Sequence, residues 1–170
     1  AAVGQALLMR LYGDLFKKRG RVCGQVLLTW DDFSSKARQH NAMNTLKVLL
    51  GRGVVPVVNE NDTISTEEIK LGDNDKLSAM VASMVRADLL IMLSDVDGVY
   101  QKEGSRFTAK IDEVRRITDK LRSLAGGARD HNISKGGMIT KINAAEIASS
   151  ARVPAVIANG QTRDVIRRIV

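Results

Sequence analysis

Two apolar runs, each stopping abruptly at a polar cluster, constrain this chain more than anything else in it. Val54–Val58 is a β-branched run broken only by Pro56, and it ends at Asn59-Glu60-Asn61-Asp62. Leu89–Leu93 is the second, and it ends at Ser94-Asp95-Val96-Asp97-Gly98. Between them Leu77, Met80, Val81, Met84 and Val85 recur at helical spacing, behind Asp73-Asn74-Asp75 as capping residues. Strand, polar loop, helix, strand and polar loop make a βαβ unit. Ligands of such sheets collect at the carboxyl ends of the strands. The chemistry is expected at those two polar clusters.

The rest of the chain alternates in the same way. Val3, Leu7, Leu8, Leu11 and Leu15 mark one face of an opening helix that closes at Lys17-Lys18-Arg19-Gly20. Arg21–Trp30 reads as a strand. A helix from about Ser34 to Leu50 follows, with Met43, Leu46, Leu49 and Leu50 inward and Gly51 and Gly53 as its stop. After Tyr100 the segment Gln101–Lys110 is polar and reads as loop, Ile111 and Val114 as a short extended piece, and Thr118–Leu124 as a short helix. Gly126–Ser134 reads as a loop, Gly137–Ala151 as a small-residue helix, Val153–Ala158 as a strand and Thr162–Val170 as a last helix. With no repeat and no linker, the expectation is one domain over residues 1–170: an α/β, three-layer αβα sandwich with a largely parallel central sheet.

Composition sets the outer limits. A chain of 170 residues can bury roughly 70% of its unfolded surface. No apolar run approaches the ~20 residues that span a bilayer. Cys23 is the only cysteine, which removes a disulfide framework and points to a reducing, cytoplasmic setting. The balance of 26 basic against 19 acidic residues gives +7. That fits a solvated basic surface, or a field suited to an anionic substrate such as a nucleotide. Aromatics at 4% and the lack of any nucleic-acid motif make nucleic acid the poorer partner.

Each motif has a plain reading beside a chemical one. Asn59-Glu60-Asn61-Asp62 suits the ammonium and carboxylate of an amino acid, yet Asn and Asp also build ordinary turns. Asp73-Asn74-Asp75 caps a helix, but three such residues exceed what a cap needs. Ser94-Asp95 is either a turn or a nucleotide contact. In Lys135-Gly136-Gly137-Met138-Ile139-Thr140-Lys141, glycines precede a helix whose N-terminal N–H groups can face an anion, with Lys141 in the first turn. A flexible loop with a surface lysine is the alternative, and the Walker A pattern does not occur. His40 and His131 stand apart from any metal-ligand pattern, so no dedicated metal site is expected. Met80, Met84 and Met92 read as core filling.

Together these motifs resemble the amino-acid kinase family over essentially the whole chain. The resemblance runs from Ala1-Ala2-Val3-Gly4-Gln5 through Val55–Asp62, Glu68-Ile69-Lys70, Gly72-Asp73-Asn74-Asp75 and Leu89–Tyr100 to Gly136–Lys141. The pairing of VNEND with GDND is its most specific part, and SDVDGVY is shared more widely in the family. By this resemblance Asn59, Asp62 and Asn74 hold a glutamate substrate. Ser94 and Asp95 meet the nucleotide at a strand end. Lys135, Gly136, Gly137, Met138, Ile139, Thr140 and Lys141 form the glycine-rich nucleotide loop. Lys141 is then a catalytic lysine, and Asp75 orients the catalytic lysines.

The resemblance implies transfer of the ATP γ-phosphoryl group to the glutamate γ-carboxylate, with Mg²⁺ held mainly by the nucleotide phosphates, in a homo-oligomer without membrane or nucleic-acid partners. Family members open with a strand and a glycine-containing loop carrying another catalytic lysine. This chain starts after both, so the expectation is a partial kinase domain, N-terminally truncated, with negligible turnover by itself. Lys135 stands where many relatives have a small or hydroxyl residue. The competing readings are a sister kinase acting on acetylglutamate, carbamate, aspartate or UMP, and a non-catalytic piece serving oligomerisation or regulation.

Overall fold

The computed structural model describes residues 2–64, 74–103, 106–126 and 137–170, which divide into two compact units, 1–77 and 78–170. In chain order the elements are α1 (Ala2–Lys17), β1 (Val22–Leu28), α2 (Asp31–Ser34), α3 (Lys36–Gly51), β2 (Val54–Glu60), α4 (Asn74–Val85), β3 (Leu90–Ser94), β4 (Val99–Glu103), β5 (Arg106–Ile111), α5 (Asp119–Gly126), α6 (Gly137–Ser150), β6 (Ala155–Asn159) and α7 (Val165–Ile169). The chain is α/β, and the alternation read from the sequence is present. Among the described residues no helix is long and apolar enough to cross a membrane.

In the first unit β1 and β2 run parallel, in register from Val22↔Val54 to Leu28↔Glu60. Helix α3 supplies the crossover and buries Leu46 to 1% exposure. A Cβ on Gly24 of β1 would stand 3.6 Å from Leu49 and 3.5 Å from Val54, which shows how closely helix and strands approach. Leu50, expected inward, is exposed. The single helix expected from Ser34 is interrupted, because Ser35 is extended (φ −98°, ψ 121°) and separates α2 from α3. Gly51 is still helical, and the stop falls at Gly53, whose φ of +69° is the left-handed geometry that favours glycine.

Helix α1 corrects the sequence reading most sharply. Of the apolar face marked by Val3, Leu7, Leu8, Leu11 and Leu15, Leu8 is half-buried and the other four are 51–78% exposed. Gln5, Met9, Gly13 and Phe16 are half-buried with Leu8. Gln5 accepts a 2.8 Å hydrogen bond from Gln25 of β1. This polar tie joins α1 to β1, and the stripe of Val3, Leu7, Leu11 and Leu15 lies outward.

In the second unit β3 and β6 form another parallel ladder, from Leu90↔Ala155 to Ser94↔Asn159. Its core joins Ala79 and Ala82 of α4 to Ala144 and Ala148 of α6 over Leu90, Met92 and Val153. Alanine lets backbones approach closely, which suits a helix covering a short ladder. A second cluster gathers Val99, Leu121 and Ile142, with Ile111, Ile117 and Met138 against it. The segment expected as loop is in fact an antiparallel pair, β4 with β5, running from Val99↔Ile111 to Glu103↔Arg106. Its polar residues hid it, and its Val99–Ile111 end joins the apolar cluster. The described ladders are three two-stranded sheets, so the parallel pairing expected of a central sheet appears within each unit.

Candidate functional site

The predicted site residues that the structure describes fall in both units, at the carboxyl ends of the parallel ladders and in the first turns of two helices. In the first unit, Asn61 N–H donates to the Leu28 carbonyl at 2.8 Å, carrying the ladder one step past Glu60. Asn59, near the end of β2, turns its amide oxygen back onto the Glu60 N–H at 3.0 Å. A turn follows, closed by Ile64 N–H on the Asn61 carbonyl at 3.2 Å, and it leaves Asp62 exposed. Asn74 and Asp75 open α4, the first exposed and the second half-buried. Glu68-Ile69-Lys70 and Gly72-Asp73 lie outside the described residues.

Beyond β1 the chain makes a side-chain-locked turn. The Asp32 carboxylate accepts from the Thr29 N–H at 2.7 Å, the Thr29 hydroxyl at 3.0 Å and Arg38 at 2.9 Å. Burial works to raise the pKa of Asp32, and the bonds from Thr29 and then Arg38 outweigh it, leaving the carboxyl below its usual value. Within this turn the Trp30 ring lies under the Lys76 ammonium, 4.4 Å from ring centroid to nitrogen. The sequence reading singled out neither residue.

In the second unit Ser94 ends β3 and its hydroxyl donates to the Asp95 carboxylate at 3.0 Å. The adjacent end of β6 holds this turn. Gly160 N–H donates to the Ser94 carbonyl at 2.8 Å, and the Asn159 amide donates to the Asp95 carbonyl at 3.2 Å. The amide oxygen of Asn159 in turn accepts the Gln161 N–H at 2.8 Å. A Cβ on Gly160 would stand 3.3 Å from that of Leu93, so a larger residue would push the two strand ends apart. Asn159-Gly160 therefore holds the turn that carries Ser94 and Asp95. Its signal was the same abrupt change from apolar strand to polar turn that marked the other two clusters. Tyr100 donates to Asp97 at 2.7 Å, which lowers the Asp97 pKa and raises that of Tyr100 while bracing the β3–β4 turn.

Helix α6 begins at Gly137, as the sequence suggested, and Lys141 is half-buried at the end of its first turn. The Thr140 hydroxyl bonds back to the Gly137 carbonyl at 3.0 Å, and Met138 packs against the Val99–Leu121–Ile142 cluster. Ile139 is half-buried. Lys135 and Gly136 lie outside the described residues, as does His131. Arg122 of α5 grips the same helix. It donates to Asn143 at 2.8 Å and to both oxygens of Glu146 at 2.6 Å, and the bond to Glu146 raises its pKa. This fork fixes the stretch of α6 that follows Lys141.

A family model described as "Amino acid kinase family" matches residues 1–159. The chain is 48% identical to the glutamate 5-kinase of Clostridium acetobutylicum over its whole length, covering 64% of that protein. It is 49% identical to the glutamate 5-kinase of Deinococcus radiodurans, again over its whole length and 47% of the relative. It is 50% identical to that of Streptomyces coelicolor over 92% of this chain and 42% of the relative. The chain thus spans less than two thirds of the length of these curated relatives.

Proposed function

The chain belongs to the amino acid kinase family, and from that premise we propose that it carries substrate-binding parts of a glutamate 5-kinase. The reaction is ATP-dependent phosphorylation of the γ-carboxylate of L-glutamate to γ-glutamyl phosphate, the first step of proline biosynthesis. The observation that carries this reading is the near-50% identity, over the whole length of this chain, to enzymes of that name. Both units are taken as parts of one kinase domain within residues 1–170.

In the first unit Asn59, Asp62 and Asn74 hold glutamate. The exposed Asp62 carboxylate suits the substrate ammonium, and the two amides suit its carboxylates. Ser94 and Asp95 in the second unit meet the nucleotide. Lys135, Gly136, Gly137, Met138, Ile139 and Thr140 cradle its phosphates with backbone N–H groups at the start of α6. Met138 contributes through its backbone, since its side chain serves the core. The substrate γ-carboxylate attacks the γ-phosphorus in line as the bond to the ADP oxygen breaks. That carboxylate is already ionised at neutral pH, so no general base is needed. Lys141 stabilises the charge on the transferring phosphoryl oxygens, and Asp75 orients the catalytic lysines.

Mg²⁺ is assigned, as membership of the kinase family implies, to the nucleotide phosphates, where it would neutralise their charge. A cytoplasmic homo-oligomer completes the proposal, and the exposed apolar stripe of α1 supports self-association. The test is ADP release by the protein at the full length of its relatives, against glutamate, acetylglutamate, carbamate, aspartate and UMP. Turnover should require glutamate, and equal turnover with another acceptor would overturn the assignment.

A further inference from the structure

We infer that Trp30 and Lys76 form a positioning pair that sets the first turn of α4, and with it Asn74 and Asp75, against the carboxyl end of the β1–β2 ladder. This deepens the glutamate assignment above and rests on it. The last register pair of the ladder is Leu28↔Glu60, so Trp30 and Asp62 are each two residues beyond it. Trp30 cannot swing freely there. The turn Thr29–Asp32 is closed by Asp32 N–H on the Thr29 carbonyl at 3.1 Å and by the Asp32 carboxylate on Thr29 and Arg38.

Lys76 lies in the first turn of α4, where the positive end of the helix dipole disfavours a cation. An indole face is a favourable seat for an ammonium in that setting, because its electron-rich face attracts the charge. The 4.4 Å separation is well inside the range of that interaction. Lys76 directly follows Asn74 and Asp75, so restraining it restrains them. The chain of contacts runs from Arg38 through Asp32, Thr29, Trp30 and Lys76 to the residues assigned to glutamate and to lysine orientation. Trp30 is the only tryptophan of these 170 residues, and in the longer protein its share of the emission is the part lost in Trp30→Phe.

The experiment measures glutamate and ATP affinity by calorimetry, with Trp30 emission followed in parallel, in the protein at the full length of its relatives. Lys76→Met and Trp30→Ala should each weaken glutamate binding about two- to five-fold, the worth of one partly exposed cation–π contact, and leave ATP affinity unchanged. Lys76→Arg and Trp30→Phe, which keep a cation over a ring, should stay near wild type. If Trp30→Ala does not fold, Lys76→Met decides, since it alters one half-buried side chain and leaves the locked turn intact. Glutamate should also change Trp30 emission in the wild type and change it less in Lys76→Met. Wild-type glutamate binding with undiminished affinity in Lys76→Met would overturn the positioning role while leaving the proposed function standing. Equal losses for glutamate and ATP would reduce the pair to general structure and overturn it too. No glutamate binding by the wild type would overturn both readings.

Discussion

The ends of the two parallel ladders solve one problem with different materials. At the β1–β2 end the turn is held by charge: Asp32 gathers Thr29 and Arg38, and Trp30 seats Lys76. At the β3–β6 end the ties run mainly to main-chain groups: Gly160 N–H on the Ser94 carbonyl, and the Asn159 amide on the Asp95 carbonyl. The difference matches the ligands proposed for each. A zwitterionic amino acid is recognised by placed charges, which must themselves be held. A polyanionic nucleotide is recognised by N–H groups and a lysine, and the ties to main-chain groups hold the turn beside them.

Breaking the second region should have the largest effect on rate. Lys141→Ala in the full-length enzyme should lower kcat by ~10²–10³, the usual cost of one charge-stabilising donor in phosphoryl or acyl transfer. A fall in affinity with kcat unchanged would remove Lys141 from the transition state. Breaking the first region should separate the substrates. Asp62→Ala should raise the glutamate KM by about 10- to 150-fold, since a hydrogen bond to a charged group is worth ~1.5–3 kcal/mol. The ATP KM should stay put, and a parallel rise in both constants would erase the distinction between the two ends.

How much of this was legible in the sequence differs between the regions for physical reasons. The strands and their polar stops were legible because a buried parallel strand needs an apolar run, and Val54–Val58 and Leu89–Leu93 are such runs. Helix α6 was legible from the glycines before it. The β4–β5 pair was not, since its ladder is made by backbone groups and carries few apolar residues. Periodicity found α1 as a helix but not its side toward β1, which carries the Gln5–Gln25 bond, a contact 20 residues apart. Asn159 was overlooked for a similar reason: its partner Asp95 is 64 residues away. The Trp30–Lys76 contact is long-range in the same sense and carries no local signature.

The Asn159 amide gives an intermediate effect. Asn159→Ala removes one donor to the Asp95 carbonyl and one acceptor for Gln161, so stability should fall by about 1 kcal/mol. ATP affinity should weaken and glutamate affinity should not. The reverse pattern, read by calorimetry, would place Asn159 with the other region.

The smallest effect tests whether charge holds the β1–β2 end. The folded pKa of Asp32 lies below its ordinary value of 3.8, so the carboxylate stabilises the fold at any pH above that value. The contribution is lost as pH falls through the lower, folded pKa, where the protonated carboxyl loses its charge-assisted bonds. Asp32→Asn keeps the shape and removes the charge. Its denaturant midpoint should therefore lie below that of the wild type at pH 7, by an amount corresponding to about 1 kcal/mol. Arg38 is half exposed, so salt should trim its part of that difference while leaving the part from the Thr29 N–H. On acidification below 3.8 the two curves should converge. Trp30 emission is the natural probe, because it sits inside the turn that Asp32 closes. A gap between the two proteins that stays constant from pH 7 down to the acid limit would mean that the shape of residue 32, and not its charge, holds this end of the ladder.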